Sequence, residues 1–328
     1  MMIVVCGEAL IDMVPKEMKE TSETVYLPCL GGSPFNTAVA AARQDVPVGF
    51  LGRLSTDFFG ESLVNHLVQN GVMDRFIVRS GETTTLAFVK LEAGKEPRYV
   101  FYTEGAADRS LQPGDLPPSL PAEVRCIAFG SIAMTMEPVA STIEHFIKRE
   151  SGRDNEALVI SLDPNVRPFM IGDREKFVKR FESWLSWTNI AKISDADFDF
   201  IYPGLGREKS LRKILEHPGV QIAVTTLGPK GALALLKKDD ASILRAEAPV
   251  VDLPVADTIG AGDTFHGAFL AWLERHNKMS RAGLASLTET ELYDALFFAN
   301  KAASLVCSRQ GANPPTFAET EALKGSVK

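Results

Sequence analysis

The sequence predicts an α/β fold, with a mostly parallel central sheet that carries helices on both faces and a small β-sheet that forms a lid. Short apolar runs alternate with helical patterns along the chain, an order typical of parallel sheets. One region interrupts this alternation with two strand-like runs in succession. No change of composition marks a linker, so we expect one domain over residues 1–328.

The strands of the central sheet are predicted from apolar runs with almost no polar interruption. Such runs are typical of strands that are buried on both faces. The first of them, "MIVVC", lies next to the start of the chain. The predicted strands are 2–6, 48–54, 126–131, 158–163 and 222–228.

The helices are predicted from the stretches between these strands. In "SPFNTAVAAARQ" we expect Ser33 to be the N-cap and Pro34 to be the first helical residue, because both residue types favour those positions. The predicted helices are 33–44, about 60–70, about 137–150, 173–187, 208–217, 264–276 and 289–306.

The region that interrupts the alternation is predicted to be the lid. "TTLAFVKLE" (84–92) and "RYVFYT" (98–103) have strand character and resemble a hairpin. "ETVYLPC" (23–29) is a candidate third strand of the same antiparallel sheet. We therefore expect lid strands from about 14–30 and 84–104, the alternative being an edge decoration of the main sheet.

The composition excludes several classes of function. The net charge is −7 and the isoelectric point is about 5.4, so bulk charge attracts neither nucleic acid nor an anionic membrane. The four cysteines form no CxxC pair, which favours reduced thiols over a disulfide framework or a zinc site. The apolar start lacks a basic region, and no run approaches the roughly 20 apolar residues that span a bilayer. A cytoplasmic location is expected.

The stretch "DTIGAGDTFHGAF" (257–269) combines small residues with one carboxylate at the start of a helical pattern. Small residues at a helix N-terminus let an anion approach the unpaired N–H groups closely. Asp263 has two interpretations. It is either a helix cap that follows a simple turn, or a base that accepts a proton while Gly260, Ala261 and Gly262 hold the charge on a phosphoryl group.

Other phosphate-binding motifs are absent from the sequence. It has no GxxxxGK[ST] loop, and the first strand is followed by "CGEALID" rather than by GxGxxG. It also lacks the GxSxG elbow, HExxH and the protein-kinase HRD and DFG motifs. These absences argue against a P-loop enzyme and against a dinucleotide-binding oxidoreductase.

Two separated motifs resemble the PfkB (ribokinase-like) carbohydrate kinase family, and the likeness extends over nearly the whole chain. They are "GGSPFNTAVAAARQDVPVGFLGRLSTDFFG" (31–60) and "DTIGAGDTFHGAFL" (257–270). The resemblance implies a ribokinase-like three-layer fold with a lid. It also implies that Asp263 is the catalytic base and that Gly260, Ala261 and Gly262 form the anion hole.

The resemblance also implies where substrate and nucleotide bind. Asp12 would accept hydrogen bonds from the sugar, beside Gly31, Gly32 and Asn36; the alternatives are turn, loop and first-turn residues of no special role. "TTLGPKGA" (225–232) resembles a nucleotide loop, with a plain turn as the alternative, and "FANKAAS" (298–304) resembles the border of the adenine, with helix core as the alternative. The implied ATP-binding residues are Ser194, Thr226, Gly228, Gly231, Asn300 and Ala303.

The ions are implied less directly. The family often has N-x-x-E near the metal, whereas this chain reads "SDAD" at the matching place, with Ser194 and Asp197. The shorter aspartate is expected to reach Mg²⁺ through water, which that ion usually retains. A monovalent cation site, for K⁺, is common in the family and would lie near Asp257, Ile259 and Gly311.

Three stretches resemble bacterial fructokinases: "GEALIDMVP", "TLAFVKLE" and "DPNVRP". Arg167 in the last is expected to meet the substrate or a phosphate, with a surface ion pair as the alternative. Tyr102 in the lid is a candidate sugar contact, or it is simply packed there. Thr103 stands where 2-keto-3-deoxygluconate kinases carry an arginine, and Glu104 would repel a substrate carboxylate, so a neutral sugar is favoured.

The prediction is therefore an ATP-dependent sugar kinase that converts D-fructose to fructose 6-phosphate and works with Mg²⁺. The alternatives are a kinase for 2-keto-3-deoxygluconate, ribose or a nucleoside, and, from another class, a sugar-binding regulator without activity. A homodimer that forms through the lid is implied by the resemblance. No nucleic acid or membrane partner is expected.

Overall fold

The computed structural model describes residues 1–17, 24–90, 98–152 and 157–324. Its main sheet contains ten strands in these residues, in the order β14-β13-β12-β11-β10-β9-β1-β4-β5, with β6 paired to the far half of β4. The strands are β1 Met2–Cys6, β4 Val48–Ser55, β5 Val72–Met73, β6 Ile77–Ser80, β9 Val124–Gly130, β10 Val159–Asp163, β11 Ile190–Ser194, β12 Ile222–Thr226, β13 Ala232–Lys237 and β14 Ile243–Ala248.

A second sheet has four strands in the order β3-β2-β7-β8. β2 pairs antiparallel with β3 and parallel with β7, and β7 pairs antiparallel with β8. This confirms the separate small sheet and the predicted hairpin of β7 and β8, but the prediction that the sheet is antiparallel throughout is wrong, because β2 and β7 run parallel. Residues 18–23 and 91–97 of the predicted lid segments lie outside the described residues. The strands are β2 Leu10–Glu17, β3 Thr24–Gly31, β7 Leu86–Lys90 and β8 Arg98–Tyr102.

Helices cover both faces of the main sheet, because its strands are apolar on both sides. Ile3 and Val5 of β1 belong to one core cluster, and Met2 and Val4 belong to the other. The first cluster is covered by α1, α2, α7 and α9, and the second by α3, α4, α5 and α6. The helices are α1 Ser33–Ala42, α2 Phe58–Gln69, α3 Val139–Ser151, α4 Arg174–Leu185, α5 Asp195–Ile201, α6 Arg207–Leu215, α7 Ala261–Arg275, α8 Arg281–Ser286, α9 Glu289–Cys307 and α10 Phe317–Ala322.

The predicted three-layer α/β fold is confirmed. The sequence patterns did not predict the main-sheet strands β5, β6, β11, β13 and β14 or the helices α5, α8 and α10, and two predicted helix starts differ. Gly32, not Ser33, is the N-cap of α1, and no side chain caps that helix. The predicted cap was wrong because the Ser33 hydroxyl turns away to another helix. α7 begins at Ala261, three residues before the predicted start. No helix within the described residues is long and apolar enough to cross a membrane.

Candidate active site

Asp263 is buried in the first turn of α7. Its side chain does not cap the helix, because Gly260 is the N-cap and Asp263 is the third helical residue. Asp263 Oδ1 accepts a 2.6 Å hydrogen bond from the Ser33 hydroxyl, and Oδ2 accepts a 2.9 Å bond from the Asn36 side-chain amide. Both donors lie on α1, so that helix fixes the orientation of the carboxylate.

The environment of Asp263 makes its carboxylate a better proton acceptor than an exposed one. Burial raises its pKa, while the hydrogen bonds from Ser33 and Asn36 lower it, and the net pKa lies above the ordinary value. Nearby Asp163 adds a further increase, and Lys192 a decrease. A raised pKa brings a carboxylate closer to the range in which general bases act at neutral pH.

The start of α7 offers a small concave surface beside this carboxylate. Gly260 has a φ of 75°, and a Cβ there would lie 2.9 Å from the Cβ of Ala312, so the turn requires glycine. Ala261 and Gly262 follow without bulk, and all three residues line the same cavity as Asp263. First-turn N–H groups of a helix have no helical acceptor and can bind an anion. Here the Ala261 N–H donates a 3.3 Å hydrogen bond to the Thr258 carbonyl, which an anion would have to replace.

This cavity has a volume of about 540 Å³ and lies between the carboxyl edge of the main sheet and the small sheet. Asp12, Gly32, Asn36 and Arg167 all line it, as their predicted roles require. Gly31 lies beside them: a Cβ there would be 2.3 Å from Asp12 Oδ2. The missing side chain therefore makes room for the Asp12 carboxylate.

Asp12 faces Arg167 across this cavity. Burial raises the pKa of Asp12 to about 6; the positive charge of Arg167 lowers it and the negative charge of Asp263 raises it. Arg167 Nη1 donates a 2.7 Å hydrogen bond to Asn165 Oδ1. Asn165 also lines the cavity, although in the sequence only its place in "DPNVRP" distinguished it.

Aromatic rings close one side of the cavity. Phe169, after β10, lies parallel to Tyr99 of β8 at 5.8 Å and stacks on Phe101 at the same distance. Tyr102, the predicted contact, is not among the lining residues: it is 62% exposed and meets Phe88 on the other face of the small sheet. Successive residues of a strand face opposite sides, which places Tyr99 and Phe101 inward and Tyr102 outward.

The residues predicted for the nucleotide lie further along the same edge. Ser194 and Thr226 are neighbours at the ends of β11 and β12. Gly228 and Gly231 shape the turn into β13, both with positive φ. Asn300 is buried and donates hydrogen bonds to the carbonyls of residues 248 and 249, so its amide group holds the backbone there. Ala303 packs against the core one turn later on α9.

The sequence matches the model of the pfkB family carbohydrate kinases over residues 1–319. The chain belongs to this family. Fructokinase of Rhizobium leguminosarum bv. trifolii is 35% identical over 292 residues, which are 89% of this chain and 85% of that protein. Fructokinase-1 of Oryza sativa subsp. japonica is 31% identical over 328 residues, with coverage of 98% and 97%.

Solved structures agree with this assignment. Fructokinase from Xylella fastidiosa with bound ATP matches with a TM-score of 0.85 at 27% identity, and 98% of this chain and 97% of that chain are covered. Fructokinase from Vibrio cholerae O395, with fructose, ADP and calcium ion bound, matches with a TM-score of 0.80 at 26% identity, with coverage of 98% and 99%. The family predicted from the two motifs is confirmed, and the protein is a sugar kinase.

Two buried residues of this carbohydrate kinase, Lys192 and Asp163, were not singled out in the sequence. Lys192 Nζ forms a 2.7 Å ion pair with Asp163 Oδ2, and a Cβ at Gly262 would lie 3.3 Å from the same nitrogen. Burial lowers the pKa of Lys192, but the Asp163 carboxylate outweighs it and the net pKa is raised, so the ammonium stays charged. His266 hydrogen-bonds to the Ser161 hydroxyl, and burial lowers its pKa to about 3, so it stays neutral.

The side chain of Asp197 is held by hydrogen bonds to neighbouring residues of the kinase. Its Oδ2 accepts bonds from the backbone N–H and hydroxyl of Ser194, and its Oδ1 accepts one from Val166 N. Ser194 in turn caps α5, so the two residues form a capping box. Among the described residues, no group of three His, Cys, Asp or Glu side chains is arranged to hold a metal ion.

The residues predicted for a monovalent cation lie together at the base of the α7 turn. Asp257 Oδ1 accepts a 3.0 Å bond from Ile259 N, and Asp257 Oδ2 accepts one of 3.0 Å from Gly311 N. The backbone of 256–257 is tied to the end of α9 through the Cys307 carbonyl. The loop that leads into the anion hole is therefore held from two directions.

Proposed function

We propose that this kinase is a fructokinase that transfers the γ-phosphate of ATP to D-fructose and releases fructose 6-phosphate. The observation that carries the proposal is the buried carboxylate of Asp263 beside the small-residue turn 260–262, at one end of a cavity of sugar size. The similarity to fructokinases over nearly the whole chain supports the choice of sugar.

The reaction needs one proton acceptor and one anion hole. The oxygen of the sugar 6-hydroxyl group attacks the γ-phosphorus of ATP, and Asp263 takes the proton of that hydroxyl group. The bond between the γ-phosphorus and the oxygen that leaves with ADP breaks. The N–H groups at 260–262 stabilise the charge on the transferring phosphoryl group. Ser33 and Asn36 keep the carboxylate aimed at the hydroxyl.

We propose that ATP lies along the carboxyl edge, by Ser194, Thr226, Gly228 and Gly231, with its base towards 300–303. Mg²⁺ would neutralise phosphate charge when bound. Because the oxygens of Asp197 already accept three hydrogen bonds, phosphate oxygens and water would supply most of its ligands, with Asp197 one water molecule away. K⁺ near Asp257, Ile259 and Gly311 remains a prediction, tested by turnover in K⁺ against a large organic cation.

A neutral sugar fits the polar groups of the cavity. Asp12 and Arg167 line the same cavity and attract each other electrostatically, so part of the guanidinium charge is offset before a substrate arrives. The test is ADP release with fructose, ribose, 2-keto-3-deoxygluconate, adenosine and aminoimidazole riboside. Turnover with fructose at least about tenfold above the others supports the proposal. Preference for 2-keto-3-deoxygluconate would mean that Arg167 binds its carboxylate.

We also propose that two copies associate through the outer face of the small sheet. Tyr26, Val100 and Tyr102 are exposed there, and the rings of Tyr26 and Tyr102 both contact Phe88 edge to face. Exposed apolar groups grouped on one sheet face are typical of an interface. Sedimentation of the wild type and of Tyr102→Lys tests this: the variant should be monomeric at concentrations where the wild type is dimeric.

We propose a cytoplasmic location because the cysteine thiols are free. Cys6, Cys29, Cys126 and Cys307 are all free, and none is paired in a disulfide. Free cysteines are usual in reducing compartments. Fractionation of cells that express the protein at native levels tests the location.

A further inference from the structure

Glu8 and Ser131 meet at the point of the central sheet where the strand order reverses, between β1 and β9. From β1 the chain continues to β4 on one side, whereas β9 lies on the other side and leads on to β10, β11 and β12. Glu8 follows β1 by two residues, and Ser131 follows β9 directly. In open α/β sheets, ligands bind at the carboxyl ends of the strands at such a switch point. Both residues line the sugar cavity, although neither was singled out in the sequence.

Ser131 has a backbone conformation that side chains rarely adopt. Its φ is 62° and its ψ is −159°, a region occupied almost only by glycine. Among the described residues with positive φ, Ser131 and Ala241 are the two that are not glycine, asparagine or aspartate. Ala241 lies in an exposed turn, whereas Ser131 is 5% exposed. A strained residue inside a ligand cavity suggests that its side chain is needed there.

The strained backbone brings the Ser131 hydroxyl to Glu8. The hydroxyl hydrogen-bonds to the Glu8 carboxyl group, whose Oε2 also accepts a 3.1 Å bond from Ala133 N. Glu8 is 1% exposed, and no lysine or arginine of the described residues forms an ion pair with it. Burial raises its pKa to about 7. An acid of this kind can both donate and accept a hydrogen bond, as a sugar hydroxyl can.

We propose that Glu8 and Ser131 together recognise a second hydroxyl group of the bound sugar, distinct from the one that is phosphorylated, and so select among sugars. The inference rests on the proposed sugar kinase activity. Asp263, at the start of α7, accepts the proton of the reacting hydroxyl group. Glu8 and Ser131 form hydrogen bonds with a different hydroxyl group of the same sugar. Buried polar groups discriminate strongly, because a sugar that lacks the matching hydroxyl leaves them unpaired.

The experiment compares Ser131→Gly and Ser131→Ala with the wild type, with Ala241→Gly as the control. Ser131→Gly relieves the strain and removes the hydroxyl, whereas Ser131→Ala keeps the strain and removes the hydroxyl. We expect the KM for fructose to rise about tenfold in both variants, with the KM for ATP changed less than about twofold. Only Ser131→Gly should keep or raise the melting temperature. Ala241→Gly should raise the melting temperature and leave the kinetics unchanged.

Selectivity is measured with the ketohexoses that differ from D-fructose at one carbon: D-psicose, D-tagatose and L-sorbose. Against one of them the preference for fructose, as a ratio of kcat/KM, should fall about tenfold in both Ser131 variants and in Glu8→Gln. A KM for fructose within twofold of the wild type in both Ser131 variants, with unchanged preference, would overturn the proposal. Failure of the wild type to use fructose would instead overturn the proposed function, and the variants would then be compared on the sugar that it uses.

Discussion

The Ser33 hydroxyl donates a 2.6 Å hydrogen bond to Asp263 Oδ1, although the two residues are 230 positions apart in the chain. Ser33 begins α1 and Asp263 lies in the first turn of α7, and these helices pack against each other through the close approach at Gly267. The contact joins the two motifs that identify the family. The first motif thus orients the base that the second motif supplies.

Removal of the Ser33 hydroxyl should change the pH dependence of the reaction. Its hydrogen bond lowers the pKa of Asp263, so in Ser33→Ala that pKa rises further. The base must be ionised to act, and the acidic limb of the kcat profile should therefore move to higher pH. Ser33→Thr keeps a hydroxyl and is the matched control. An acidic limb at the same pH in Ser33→Ala and wild type would show that the bond does not act on the base.

Loss of Lys192 should destabilise the fold. Lys192 and Asp163 are almost fully buried as an ion pair, and Lys192→Met would leave a carboxylate without its partner. We expect the free energy of unfolding in urea to fall by about 3 to 5 kcal/mol. The double variant Lys192→Met, Asp163→Leu should be more stable than Lys192→Met. If Lys192→Met costs less than about 1 kcal/mol, the pair is solvated and the interpretation fails.

Stability should depend on pH through Glu8. Its pKa is about 7 in the folded protein and 4.5 in an ordinary environment. Between these two pH values the Glu8 carboxyl group is ionised in the unfolded chain but still protonated in the folded protein, so the free energy of unfolding decreases as the pH rises. Glu8→Gln has no carboxyl group at this position and lacks this contribution. The melting temperature of the wild type minus that of Glu8→Gln should decrease from pH 5 to pH 8. A difference that is constant or increases would mean that Glu8 is already ionised at pH 5.

The aromatic side of the cavity should affect the binding of the sugar rather than the chemical step. Phe169 stacks on two rings of the small sheet, and aromatic pairs contribute about 0.5 to 1.5 kcal/mol each. Phe169→Ala should raise the KM for fructose about three- to tenfold, with kcat at saturating sugar nearly unchanged. Phe58→Ala, at an exposed ring outside this cavity, is the control. Equal effects of the two variants would remove the assigned role of Phe169.

Sequence reasoning succeeded where function depends on local pattern. The five predicted strand runs of the main sheet and the separate small sheet follow from residue types at short range, and the structure contains them. Helix α7, in contrast, begins at Ala261 rather than at the predicted residue 264. Asp12, Asn36 and Arg167 were assigned by resemblance and do line one cavity. Their joint placement needs the whole sheet, because they come from three separate parts of the chain.

The misses share one physical cause, which is that side-chain direction is set by tertiary packing. Tyr102 was named as a candidate sugar contact, but Tyr99 and Phe101 line the cavity, since the residues of a strand that face it cannot be identified without the register of the small sheet. Ser33 was predicted to be a cap because local preference favours it, but a distant carboxylate binds its hydroxyl. Lys192 lies in the short apolar run "IAKIS", which was not assigned to a strand, and a single charge inside such a run is the signal that could have found its pair with Asp163.

The most direct test of the central claim is fructose-dependent ADP release by the wild type and by Asp263→Asn, measured side by side with Mg²⁺·ATP. The substitution keeps the shape of the side chain but cannot take up the proton. We predict that kcat falls by about 100- to 10,000-fold, that the KM values for fructose and ATP change little, and that the melting temperature does not fall. If Asp263→Asn turns over fructose at a rate close to that of the wild type, Asp263 is not the base and the account of this site is wrong.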